Sequence, residues 1–110
     1  VQVEASAFAE SGVRQWRYPE EEVAKLADPS VKMVCLVNPS NPPSLALSTR
    51  VAEQIVSIVG ERNPNLIIVT DDVYGTFVEG FRSLAADLPR NTLLVYSYSK
   101  HYGATGWRLG

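Results

Sequence analysis

The chain has 110 residues, 45% of them hydrophobic, with 10 lysines and arginines against 12 acids for a formal net charge of -2, which is one domain's worth of ordinary globular composition. No basic run or stripe is present, which argues against a nucleic-acid or anionic membrane surface, and apolar runs such as 34–37 and 66–69 fall far short of the roughly twenty residues a membrane span needs. The single cysteine, Cys35, lies inside an apolar run and reads as a small buried hydrophobe with no internal disulfide. No targeting segment is visible, so a cytoplasmic location is expected. The sequence opens at Val1 and stops at Gly110 within a glycine-rich stretch, and it reads as an internal piece of a longer protein.

In chain order, 1–8 is a candidate strand of ambiguous register. Pro19 followed by Glu20, Glu21 and Glu22 suits a helix N-terminus, and Val23, Leu26 and Ala27 supply its apolar stripe up to Asp28-Pro29. The valine-rich run 31–37 ends abruptly at Asn38-Pro39, as a parallel strand buried on both faces would. Residues 38–44, N-P-S-N-P-P-S, hold three prolines that fix φ and remove donors, which makes a rigid loop after that strand. Ser48-Thr49 caps a helix through about Gly60 with Val51, Ile55, Ile58 and Val59 on one face, closed by Gly60 or Asn63-Pro64. A second buried strand over 66–69 leads into T-D-D-V-Y-G, 83–88 forms a short helical turn, and 92–98 is the third strand. Strand, helix, strand, short helix, strand is the pattern of an α/β fold with a mostly parallel sheet, whose ligands bind at the carboxyl ends of the strands.

All three strands run out into polar residues: Asn38 and Asn41, Asp71 and Tyr74, Ser97 and Lys100. Taken singly these are a turn, an acidic loop and a solvated lysine. Together they set an amide, a carboxylate, a phenol and an amine on one rim, and Arg108 follows Lys100 by eight residues with Gly103 and Gly106 between. An amine beside a guanidinium in flexible backbone suits a site that forms an imine with an aldehyde and holds a phosphate of the same molecule. The two glycines let that loop fold back, since glycine tolerates positive φ. There is no G-x-S-x-G, H-E-x-x-H, cysteine pair or G-x-G-x-x-G, and His101, with no second ligand, is a poor metal site.

In S-x-S-K followed by G-W-R-L-G, together with N-P-x-N-P and D-D-V-Y, the chain resembles the class I/II aminotransferases of the aspartate aminotransferase fold, which use pyridoxal 5'-phosphate (PLP). The wording V-N-P-S-N-P-P-S, T-D-D-V-Y-G-T-F and S-K-x-x-G-A-T-G-W-R-L-G is most similar to the branch that also removes the β-carboxylate of aspartate. The resemblance implies a three-layer α/β/α arrangement in which residues 1–110 are the central part of the PLP-binding large domain, without the small domain. It implies that Lys100 forms the Schiff base and then moves the substrate Cα proton, for which it must be desolvated or close to other cationic charge. Asp71 would face the pyridine nitrogen, and Asn41 and Tyr74 would donate to the ring oxygen, provided the chain turns after Asp71. Arg108, Ser97 and Ser99 would hold the phosphate.

The implied substrates are amino acids and 2-oxo acids, with aspartate foremost, and the implied assembly is a homodimer or larger homo-oligomer. Where the family loop commonly reads N-P-T-G, Pro43 and Ser44 stand here, which favours the decarboxylating branch. Asp72 reads as a loop carboxylate, and His101 as a residue that packs beside the lysine or supports a neighbouring site residue. Two other readings remain open at this point: a different transaminase or carbon-sulfur lyase of the same fold, and an aminotransferase-like sensor domain of a transcription regulator that binds PLP without turnover.

Overall fold

The structure is a computed structural model that describes residues 1–10 and 13–110. Strands β1 (Ser6–Glu10) and β2 (Val13–Arg17) form an antiparallel pair with Ser6 opposite Arg17. The expected strand over 1–8 therefore starts later, and its partner was not anticipated. Helix α1 (Glu20–Ala24) follows, running into a 3-10 turn at Lys25–Ala27, and between them they bury Val23 and Leu26. Pro19 caps this helix, and the three glutamates of its first turn complement the positive end of the helix dipole.

The functional part of the fold is a parallel sheet in the order β3 (Met33–Val37), β4 (Ile67–Asp71), β5 (Thr92–Val95). Helix α2 (Thr49–Glu61) joins β3 to β4. Its Ser48 cap accepts a hydrogen bond from the Val51 amide at 3.3 Å, satisfying one of the free donors of the first turn. Val51, Ile55, Ile58 and Val59 recur at helical spacing and are buried against Val23, Leu26, Leu66, Ile68 and Leu84. The β4 to β5 connection is irregular, with 3-10 turns at Gly75–Phe77 and Leu84–Ala86, the second capped by the Ser83 hydroxyl.

Burial on both faces of the sheet, expected for the run 31–37, does not hold within these residues. Val34 and Leu36 pack on the core, whereas Met33 (55% exposed), Cys35 and Val37 (43% exposed) alternate onto the other face, which no described helix covers. Cys35 is thus an exposed thiol and not a core residue. Of the two closures expected for this helix, Gly60 or Asn63-Pro64, the structure takes the second, because Gly60 lies inside α2 and closure falls to Asn63. Its amide donates to the Ile58 carbonyl at 2.8 Å, and its side-chain Nδ2 lies 2.9–3.2 Å from the carbonyl oxygens of Leu26, Asp28 and Val31. Regular pairing in the third strand stops at Val95 and does not run on to Tyr98. That early stop frees Ser97 and the residues after it to form a loop.

Candidate active site

Three loops leave the carboxyl ends of β3, β4 and β5. The first is stiffened by its prolines and closed on itself. Asn38 is buried, its amide donating to the Asp71 carbonyl at 2.9 Å and its Oδ1 accepting from the Leu47 amide at 2.9 Å. Ser40 holds Leu45 through the Ser40 amide to the Leu45 carbonyl at 2.8 Å and the Leu45 amide to the Ser40 hydroxyl at 3.1 Å. The chain reverses between them through Ser44, whose φ of 54° lies in the left-handed region. Asn41 stands at the exposed tip, and its Nδ2 donates to the Tyr74 hydroxyl at 3.3 Å, 33 residues away.

Asp71 ends β4 between Val37 and Val95 in register. Its Oδ1 accepts from the Val73 amide at 3.0 Å, and the Gly75 amide donates to the Asp72 carbonyl at 2.8 Å. This is the immediate turn that Asp71 and Tyr74 need in order to serve one ligand. Gly75 is required by proximity and not by its φ: a Cβ there would stand 2.5 Å from a ring carbon of Phe81. Asp72 is not the loop carboxylate expected. It is 3% exposed, one oxygen accepts from the Thr70 hydroxyl at 2.5 Å, and the other has no partner.

The third loop, 96–110, forms a closed unit. The Ser97 hydroxyl donates to the Ser99 hydroxyl at 2.8 Å, the Ser99 amide donates back to Ser97 at 3.1 Å, and the Thr105 hydroxyl reaches the Ser99 carbonyl at 3.2 Å. The Tyr98 amide donates to the Leu109 carbonyl at 3.2 Å. Of the two glycines expected to take positive φ, Gly103 does at 63°, while the second such position is Arg108 itself at 52°. Ser99 is buried, whereas Lys100 and Arg108 are exposed. The Arg108 guanidinium turns to the Thr105 carbonyl of its own loop at 3.2 Å. The desolvation expected around Lys100 is not supplied by these residues, because no described element lies over its turn.

The structure thus joins Asn41 to Tyr74 and Ser97 to Ser99 by direct hydrogen bonds, sets Asp71 at the root of the same rim, and leaves Lys100 and Arg108 open on it. A cavity of about 350 Å³ is lined by Asn41 and Tyr74 with Pro39, Ser40, Ser44 and Phe77. A larger one, about 520 Å³, lies between α2 and residues 78–87, is mostly apolar, and contains none of the seven candidate site residues. Chemistry, not volume, therefore marks the site. Resolved pKa shifts fall elsewhere as well. The Arg82 hydrogen bond holds the Asp87 carboxyl below its ordinary value, and Lys25 does the same for Glu22. Among the described residues no group of three or more His, Cys, Asp or Glu is placed to hold a metal ion.

The sequence signature "Aminotransferase class I and II" matches residues 17–110, and the chain belongs to that family of PLP-dependent proteins with an α/β fold. It is 57% identical over 95 residues to a bifunctional aspartate aminotransferase and L-aspartate beta-decarboxylase of a Pseudomonas species, covering 86% of this chain and 18% of the relative. It is 37% identical over 90 residues to an aspartate aminotransferase of Sulfolobus acidocaldarius, covering 78% of this chain and 22% of that protein. Among solved structures, the aspartate aminotransferase from Thermus thermophilus with maleate superposes with a TM-score of 0.70 at 28% identity, over 84% of this chain and 24% of that one. The chain therefore spans about a fifth of the length of these sequence relatives.

The rim suits the cofactor of this family by its donor set. It presents an amine for an aldehyde, a carboxylate for a ring nitrogen, a phenol already paired to an amide for a ring oxygen, and two linked hydroxyls with a guanidinium in the same loop for a phosphate. The Phe77, Phe81 and His101 contacts that knit these loops were not read from sequence. They depend on which rings meet across loops, and no local periodicity encodes that.

Proposed function

We propose that these residues are the central part of the cofactor-binding large domain of a PLP-dependent enzyme acting on amino acids. Aspartate is the preferred substrate, converted both by transamination and by loss of its β-carboxylate as CO2 to leave alanine. The observation that carries this reading is the hydrogen bond between Asn41 and Tyr74, which joins two loops at the rim where Asp71 and the lysine loop also arrive. The similarity to a bifunctional aspartate aminotransferase and decarboxylase supports the choice of substrate.

When bound, the cofactor supplies an electron sink for charge left on the substrate. The residues of the chain do the rest. Lys100 anchors the aldehyde and, once displaced by substrate, takes and returns the proton at the substrate Cα. Asp71 keeps the ring nitrogen protonated by opposing its positive charge. Asn41 and Tyr74 hold the ring oxygen, and Arg108 with Ser97 and Ser99 binds the phosphate, Arg108 turning from the Thr105 carbonyl toward the anion.

The test is reduction with borohydride in the presence of PLP on the full-length protein, followed by peptide mass analysis. A mass increase on the Lys100 peptide is expected, and label on another lysine or on none overturns the assignment. Incubation with aspartate and a 2-oxo acid as amino acceptor should then give alanine with equimolar CO2 from decarboxylation, alongside oxaloacetate and the amino acid formed from the acceptor by transamination. Oxaloacetate without CO2 would reduce the activity to transamination, and bound cofactor without any turnover would select the sensor reading.

A further inference from the structure

We propose that His101 is a positioning residue that holds the turn carrying Lys100 in register with the turn carrying Tyr74. The proposal rests on the cofactor site described above. Beyond Val95, the hydrogen bonds that order the third loop close within that loop: Ser97 to Ser99 and Leu109, Tyr98 to Leu109, Tyr102 to Tyr98, Thr105 to Ser99, and Arg108 to Thr105. They fix the shape of the loop but not its place relative to the neighbouring one.

Ring contacts supply that place. The His101 ring stands edge-on to Phe77, centroids 5.5 Å apart at 67°, and edge-on to Tyr102, 4.7 Å apart at 83°. Phe77 belongs to the 3-10 turn that Tyr74 caps, its amide donating to the Tyr74 carbonyl at 3.1 Å and its ring lying 6.3 Å from the Tyr74 ring. Tyr102 is tied back by its amide to the Tyr98 carbonyl at 3.3 Å and by its ring to that of Tyr98 at 5.5 Å. His101 is therefore the link between a ring chain rooted in the Tyr74 turn and one rooted in the lysine turn. Edge-to-face packing is directional, because the positive rim of one ring meets the negative face of the next, so the pair fixes orientation as well as distance. A lysine that must reach an aldehyde on a ring held by Tyr74 needs that relative placement kept to a fraction of an ångström.

The experiment uses the full-length protein and three variants, His101→Ala, His101→Phe and Phe77→Ala, with two readouts. One is the PLP dissociation constant by absorbance titration, and the other is hydrogen exchange of peptides covering 97–109 in the cofactor-free protein. His101→Ala is expected to weaken PLP binding about tenfold, the scale of losing two aromatic edge contacts, and to speed exchange across 97–109. His101→Phe, which keeps the ring edge, should stay within about twofold of wild type. Phe77→Ala should mimic His101→Ala, and the double variant should add little to either.

Unchanged binding and exchange in His101→Ala overturns the proposal, as does a His101→Phe variant as impaired as the alanine, or full additivity in the double variant. Should His101→Ala not fold, His101→Phe and Phe77→Ala carry the same test. Failure of the wild type to bind PLP sinks the cofactor assignment instead, and is seen before any variant is made.

Discussion

The two ends of the parallel sheet use the same amino acid for different work. At the amino end, Asn63 is 2% exposed and spends its side-chain amide on three backbone carbonyls, while Asn91 places its own 2.9 Å from the Pro64 carbonyl and 3.0 Å from that of Leu66. At the carboxyl end, Asn38 is buried and pinned by Leu47, but Asn41 is exposed and donates to the phenol of another loop. Asparagines satisfied by backbone hold the fold together. The exposed one, satisfied by a distant side chain, can exchange that partner for a ligand.

The strongest way to break this contrast is Lys100→Ala in the full-length protein. Lys100 is exposed on its turn, so the fold should be indifferent. Activity should fall by more than about 10³-fold, since both the covalent anchor and the proton carrier go. Borohydride should then leave no label on that peptide. A retained melting temperature beside lost labelling separates site from scaffold, and a variant that melts early would blur the distinction.

Asn63→Ala should do the reverse. Leaving buried carbonyls without a donor costs about 1–3 kcal/mol, seen as a lower urea midpoint, while the folded fraction binds PLP as wild type does. Gly75→Ala tests the rim's own scaffold. The added methyl meets the Phe81 ring, a crowding cost of about 1–3 kcal/mol, and Phe81→Ala in the same chain should recover most of it. Asn41→Ala should cost little stability, because Asn41 is exposed, but should weaken PLP binding several-fold through one lost hydrogen bond worth about 1 kcal/mol.

Much of the rim was legible in sequence because it is written in types and spacing. Three prolines dictate a rigid loop whatever surrounds them, and a glycine four residues after the strand-end acid marks a turn, although Gly75 is needed there for its closeness to Phe81 and not for its φ. Asp71, Tyr74, Lys100 and Arg108 fell where those rules put them relative to the strands, whereas Ser97, expected within the third strand, lies in the loop beyond Val95. What could not be read was anything set by contact across elements. The Asn63 clasp looks in sequence like a stop signal before Pro64, and its three acceptors lie 32 to 37 residues upstream. Asp72 looks like its neighbour Asp71, but strand alternation turns it inward to Thr70. Cys35 was misread for a related reason: an apolar run shows that a strand can be covered on both faces, not that these residues cover both.

The smallest effect expected is on acid stability, and it should come entirely from outside the rim. Hydrogen bonds from Arg82, from Lys25 and from the Ser30 amide lower the pKa values of Asp87, Glu22 and Asp28, respectively. A carboxyl whose folded pKa is depressed stabilises the fold above its ordinary value, about 4, and loses that contribution as pH falls through the folded value. Arg82 is raised by the same ion pair and stays charged throughout the acid range, so the pH dependence of that pair follows the protonation of Asp87. Because these groups are at the surface, salt should screen the effect. The urea midpoint of the full-length protein should therefore decline between pH 5 and pH 3, by less in 0.5 M salt. Asp87→Asn, Glu22→Gln and Asp28→Asn together should flatten that decline without altering PLP affinity at pH 7. If instead the flattening came with weaker cofactor binding, the residues that hold the fold would not be separable from those that hold the ligand.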